Sequence, residues 1–363
     1  MTEPRRRSWR LPVAVCLLVA AVLVVPPLLA RTLGSSGSTD ATRPTIALNA
    51  KGDHQEFEQY FPHQPGAVRL VEEESLWGWD PDARYGWVNR DKRTADIEVV
   101  GGVRSGLRVP GPEVTIWLFG GSTAFGFGQR SDHTIASELV RGAQARGVPV
   151  EVVNFGVSGW VNAQETQLFA DRLAAGPRPD VAIFLDGAND TALGIERMRY
   201  GLLDTTRTWY QTMTDQQRDR LAAEATARGW SSSDDLALAT RLAADQYRRG
   251  VLEGRSLGQG AGVHVVHYWQ PQLYTIPLDR PLVRDALDQW KISAEQHDAM
   301  GRVVADVATA SGVGPVDLTH VFDHAREPIF YDTSHTNEVG ARTEADAILD
   351  DLWPTIRSVA AGR

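Results

Sequence analysis

Cysteine is almost absent: Cys16 stands alone among 363 residues. No disulfide can close within the chain, and no cysteine metal cluster can form. Lysine is nearly as scarce, at Lys51, Lys92 and Lys291. Positive charge is short as a whole, with a net charge of −9. It is also unevenly placed: residues 1–30 carry +3, from Arg5, Arg6, Arg7 and Arg10 against Glu3, which leaves −12 on the remainder. That balance argues against a nucleic-acid-binding surface. No internal repeat is visible. The segment GGSTAFG at 120–126 lacks the Lys-Ser/Thr ending of a P-loop, which excludes that phosphate cradle. What is present is an ordinary globular balance, 42% hydrophobic and 23% charged, so wholesale disorder and fibrous architectures are excluded.

One run stands apart. Leu11 to Ala30 reads LPVAVCLLVAAVLVVPPLLA, twenty positions without a charge. A helix of that length reaches about 30 Å, the thickness of the hydrocarbon layer. The arginines precede it directly, so the positive-inside rule places residues 1–10 in the cytoplasm as a basic tail and everything after Arg31 outside. The expectation is a single-pass anchor over 11–30, ended or kinked by Pro26 and Pro27. The alternative is a cleaved signal peptide, although Leu28-Leu29-Ala30 lacks the small residue such a cleavage site needs. Both readings export the rest. A lipoprotein signal is disfavoured, because Val15 precedes Cys16 where a small residue is wanted.

Residues 31–45, RTLGSSGSTDATRPT, read as a flexible tether. Residues 46–112 read as an irregular or β-rich lead-in, with Trp77, Trp79, Tyr85 and Trp87 among turn residues and a strand over 96–100. From 113 to 358 the pattern becomes regular. Five short apolar runs, at 114–119, 150–155, 181–186, 263–269 and 315–319, alternate with helical sequence near 132–146, 163–175, 282–310 and 337–358. Ser131 is placed to cap the first of these helices. Such alternation implies a parallel sheet covered on both faces. Residues 191–260 interrupt it, with helical sequence around 215–228 and 234–250, and read as a helical insertion over one edge.

Four polar segments fall at strand carboxyl ends, where open α/β sheets hold ligands. They are Gly120-Gly121-Ser122-Thr123, Asn154-Phe155-Gly156-Val157-Ser158-Gly159, Gly187-Ala188-Asn189-Asp190 and Asp332-Thr333-Ser334-His335. A serine hydroxyl is a weak nucleophile unless a base takes its proton. A histidine held by a carboxylate supplies that base. Asp332 and His335 lie three apart and become neighbours if the chain makes one helical turn there. Donors for a developing oxyanion are available from the Ser122 N–H, the Gly159 N–H and the Asn189 side-chain amide. Gly156 is the alternative second donor, Ser158 the competing serine, and Asp323-His324 a second Asp/His pair. Asp190 reads as structural.

In this order, Ser122 in GGST, Gly159 in NFGVSG, Asn189 in GAND, and Asp332 with His335 in DTSH resemble the blocks of the SGNH (GDSL-like) hydrolases. The resemblance covers about 113–358. It implies a flavodoxin-like three-layer α/β/α domain with a five-stranded parallel sheet, and serine ester chemistry. By the same resemblance Ser122 is the nucleophile, His335 the base, Asp332 its orienter, and Gly159 and Asn189 oxyanion donors. GGST departs from literal GDSL, and the insertion departs from a minimal member.

Trp160 follows the oxyanion glycine and Trp269 ends the fourth strand; both are candidates to line the substrate pocket. His264 and His267, three apart on a strand, point to opposite faces, a poor arrangement for one metal ion. Neither a metal nor an organic cofactor is expected. The sequence therefore points to a membrane-tethered, extracytoplasmic serine esterase acting on an acylated glycan or lipid. An O-acyltransferase with a sugar acceptor and a non-enzymatic envelope scaffold are the alternatives.

Overall fold

The computed structural model describes residues 58–75, 79–192, 232–290 and 292–363. The apolar run at 11–30, the tether at 31–45, Trp77 and the helical sequence at 215–228 lie outside them. Among the described residues no helix is long and apolar enough to cross a membrane.

The lead-in is more ordered than its composition suggests. It opens with helix α1 (Ala67–Ser75), followed by an antiparallel hairpin of β1 (Trp79–Asp82) and β2 (Gly86–Asn89). Ala67, Leu70, Val71 and Glu74 are buried along α1, the i, i+3, i+4, i+7 stripe of an amphipathic helix. Three short strands come next: β3 (Lys92–Arg93), β4 (Glu98–Val100) and β5 (Val103–Arg104).

The centre consists of β6 (Val114–Gly120), helix α2 (Ser122–Phe125), α3 (Ile135–Ala145), β7 (Val150–Asn154), α4 (Asn162–Ala175) and β8 (Val181–Asp186). It continues through α5 (Ser232–Ala261), β9 (His264–Trp269), α6 (Pro281–Trp290), α7 (Ala294–Ser311), β10 (Val316–Asp317) and α8 (Glu338–Ala361). The sheet order is β10-β9-β8-β6-β7-β5-β4-β3. Its first five members are all parallel. Taken in order of appearance, they run 2-1-3-4-5 across the sheet, the flavodoxin-like doubly wound arrangement. The lead-in strands β5, β4 and β3 extend the same sheet antiparallel beyond β7.

Side-chain alternation builds the layers. Val114, Ile116 and Leu118, with Val181, Ile183 and Leu185, face α3 and α8 through Leu139 and Ile348. Trp117 and Phe119, with Ala182 and Phe184, face α4 through Leu168 and Phe169. On this second face, rings stack from strand to strand. Phe119 lies 5.2 Å from Phe155 and 4.9 Å from Phe184, and Phe184 lies 4.6 Å from His267.

Three local expectations are corrected. Thr134, not Ser131, caps α3: its side chain accepts from the Ser137 N–H, while Ser131 to His133 form a separate 3₁₀ turn. The 282–310 stretch is two helices, because Ser293 and Gln296 form a capping box that restarts the chain. The second half of the supposed insertion is the β8-to-β9 crossover helix itself. Gly250 and Gly258 on α5 leave room for Asn162 and Val265 to pack against it.

Candidate active site

The turn after β6 carries Ser122 as the first residue of α2. The loop before α8 carries Asp332 and His335. The Ser122 Oγ lies 2.6 Å from His335 Nε2, and His335 Nδ1 lies 2.5 Å from Asp332 Oδ2. All three residues are buried. Asp332 and His335 do not sit on a helical turn, as their spacing suggested. Asp332 Oδ1 instead accepts the backbone N–H groups of Ser334 and His335, at 2.8 and 2.7 Å. This Asx-type turn folds the chain back and frees the second carboxylate oxygen for the imidazole.

Burial pushes the Asp332 carboxyl up, but His335 and the two backbone donors more than offset this, and its pKa is lowered. Asp332 is then ionised and can only accept hydrogen bonds. His335 must carry its proton on Nδ1, which leaves the Nε2 lone pair to take the Ser122 hydroxyl proton. Two aromatic rings pack against the imidazole. Tyr331 stacks at 5.9 Å and Phe127 lies at 5.2 Å, and the Tyr331 hydroxyl donates to the Phe127 carbonyl at 2.7 Å.

Asn189 follows β8, on the other side of the switch point between β6 and β8. Its Nδ2 donates to the Trp160 carbonyl at 2.8 Å. A Cβ on Gly121 would collide with that same nitrogen, so the residue before the serine must be glycine for the amide to come this close. Gly159 has φ +81°, a conformation that favours glycine. The Gly156 N–H donates to Asn154 Oδ1 at 2.9 Å within its own loop, which removes it as the alternative oxyanion donor.

Two predicted lining residues are placed elsewhere. Trp160 and Trp269 are each 1% exposed. Trp160 turns inward, where its indole N–H donates to the Trp87 carbonyl at 3.0 Å and its ring contacts Tyr85 at 5.3 Å. Trp269 packs against Tyr247 at 5.0 Å and under Gly187. Of the rival residues, Ser158 is buried and its carbonyl accepts the Trp87 indole N–H at 3.0 Å. Asp323 pairs with His320 at 3.1 Å and not with the adjacent His324. His264 is exposed and His267 buried, on opposite faces of β9. Among the described residues, no three His, Cys, Asp or Glu side chains gather as a metal site.

Several supports carry no local sequence signal. Gln129 Nε2 donates to the Thr336 carbonyl at 2.8 Å, and Arg130 forms a two-pronged pair with Glu338 at 2.7 and 2.6 Å. Both tie the serine loop to the histidine loop across about two hundred residues of chain. Glu74 on α1 accepts the Gly128 N–H and faces the buried guanidinium of Arg104 at 3.5 Å. Burial raises the Glu74 pKa to about 7, against the opposing pull of Arg104 and the Gly128 N–H.

No family model and no curated protein matches this chain. Solved structures do. A member of the lipolytic G-D-S-L family from Veillonella parvula is 14% identical, with 65% of this chain and 96% of that chain covered and a TM-score of 0.38. An acetyl xylan esterase is 13% identical, covering 66% and 100%, with a TM-score of 0.38. The lipase/acylhydrolase from Enterococcus faecalis is 15% identical, covering 66% and 95%, with a TM-score of 0.38.

Proposed function

We propose that the chain is an SGNH-type serine esterase that is anchored in the membrane and works on its outer side. The observation that carries the chemistry is the unbroken contact from Ser122 Oγ through the His335 ring to Asp332, at 2.6 and 2.5 Å. Such an arrangement makes a nucleophile from an otherwise unreactive hydroxyl.

The steps follow from the geometry. Ser122 Oγ attacks the ester carbonyl carbon as its proton passes to His335 Nε2. The imidazolium is stabilised by ionised Asp332. Negative charge gathers on the former carbonyl oxygen, where the Ser122 N–H, the Gly159 N–H and the Asn189 amide serve as donors. Collapse breaks the bond to the alcohol, which leaves with the proton from His335. Water then gives a proton to His335 and attacks the acyl-serine. His335 returns that proton to Ser122 as the carboxylic acid departs.

The location rests on the charge-free run at 11–30 behind four arginines. An anchored enzyme on that side meets acylated glycans and lipids of the cell envelope, and these are the proposed substrates. Turnover of p-nitrophenyl acetate and of a long-chain ester by the detergent-solubilised chain tests the reading. Hydrolysis is expected, and Ser122→Ala should abolish it. Turnover that survives Ser122→Ala contradicts the assignment. An ester made only when a glycan acceptor is added would replace hydrolysis with acyl transfer on the same serine.

A further inference from the structure

The loop that carries Gly159 is held between two neighbours. On one side lie Gly120, Gly121 and Asn189. The Val157 N–H donates to the Gly120 carbonyl at 3.0 Å, and Asn189 Nδ2 donates to the Trp160 carbonyl at 2.8 Å. On the other side lies the lead-in hairpin. Asn89 Nδ2 donates to the Gly156 carbonyl at 2.8 Å, and the indole N–H of Trp87 donates to the Ser158 carbonyl at 3.0 Å.

The Ser158 carbonyl and the Gly159 N–H belong to one peptide unit. A trans peptide is planar, so its C=O and N–H point in opposite directions. The Gly156–Val157 unit shows the consequence directly. Asn89 holds its carbonyl from the hairpin side, and its N–H reaches Gly120 at the foot of the nucleophile turn. We propose that Trp87 is a positioning residue for the oxyanion hole. By holding the Ser158 carbonyl from the hairpin side, it aims the Gly159 N–H toward the oxygen developing charge beside Ser122. This role rests on the esterase reading above.

Two further observations support it. Trp87 is itself fixed, being 8% exposed and accepting at its carbonyl the indole N–H of Trp160 at 3.0 Å. A donor on a peptide carbonyl also polarises the unit and strengthens its N–H as a donor. Moreover, Trp160 links this hairpin to the second oxyanion donor, because its own carbonyl holds Asn189. One tryptophan pair thus sets both donors relative to each other. Gly159 needs this outside support, because φ +81° places it in a region that imposes no strong preference on a glycine.

The test uses the full-length chain in detergent and two replacements of Trp87. Trp87→Phe removes the indole N–H and keeps an aromatic ring. Benzothienylalanine at the same position puts sulfur where the N–H was and keeps the full bicyclic shape. Each is assayed for kcat and KM on p-nitrophenyl acetate and for the rate of fluorophosphonate labelling. The expected result is a kcat about tenfold lower, less than the 10² to 10³ lost with a whole donor. KM should stay within about twofold, because the lost interaction exists only in the transition state. Labelling should slow in parallel, since the phosphonyl oxygen occupies the same hole. Should the phenylalanine variant fail to fold, the benzothienyl variant carries the test alone. A folded variant with wild-type kcat, or with KM raised and kcat unchanged, overturns the role of Trp87. A wild-type chain that neither hydrolyses esters nor labels overturns the esterase reading, and this role with it.

Discussion

His335 has two ring nitrogens with opposite duties, and Asp332 decides which is which. Its ionised oxygen at 2.5 Å from Nδ1 requires a proton there, so Nε2 faces Ser122 unprotonated. Asp332→Asn keeps the shape but offers an amide that can present its N–H to Nδ1. The ring would then carry its proton on the wrong nitrogen. We expect kcat to fall on the order of 10³- to 10⁴-fold with little change in KM, measured by steady-state hydrolysis of a short-chain ester. A loss below tenfold would show that the carboxylate is not setting the tautomer. Ser122 and Asn189 stood out in the sequence because each follows a recognisable apolar strand, whereas Asp332 and His335 lie well beyond the short β10 and stood out by their spacing. The two tryptophans were misread for a related reason. Adjacency along the chain places a residue near the site but does not say which way its side chain faces: Trp160, in a loop, turns toward Trp87 and Tyr85, and Trp269, at the end of β9, packs on Tyr247.

At the scale of elements, α8 fixes the histidine loop. Asn337 caps it by accepting the Val339 and Gly340 N–H groups at 3.0 Å each, while its Nδ2 donates to the Tyr60 and Pro328 carbonyls. One turn further, Glu344 is fully buried and accepts the Thr336 hydroxyl at 3.0 Å. Burial raises its pKa from 4.5 to about 8, with the Thr336 hydrogen bond pulling the other way. The folded chain therefore keeps a proton that the unfolded chain releases. The resulting stabilisation is complete below pH 4.5 and is lost as pH rises through about 8. Glu344→Gln carries no charge at any pH, so its melting temperature should exceed that of the native chain above pH 8 and fall off less steeply between pH 5 and 9. The gap corresponds to a few kcal/mol at most, at about 1.4 kcal/mol for each pKa unit. Parallel melting curves across that range would contradict a neutral buried Glu344. Strand positions were readable from their apolar runs, whereas the α7 start was passed over although Ser293 and Gln296 form a capping box there. The helix α1 was missed although its stripe is regular, because Glu74 occupies one of its inward positions. An acid there reads as surface until Arg104 and Gly128 are seen facing it.

For the molecule as a whole, the sheet brings Ser122 and Asn189 to either side of a switch point, and the loop before α8 brings His335 onto Ser122. The lead-in is part of this machine and not an appendage. Its strands extend the central sheet, its hairpin holds the Gly159 loop, and its helix sends Glu74 to the backbone behind the serine. The strand at 96–100 was legible beforehand, but these connections were not, since pairs such as Gln129 with Thr336, or Trp87 with Ser158, are set by the close packing of distant segments. Position along the chain carries no trace of them. The central claim is that one hydroxyl, at Ser122, is activated by one imidazole. Fluorophosphonate labelling followed by peptide mass spectrometry tests it most directly. A single phosphonyl adduct on Ser122 is expected, absent from Ser122→Ala and strongly slowed in His335→Ala. An adduct on another serine, or no adduct on a folded native chain, would contradict it.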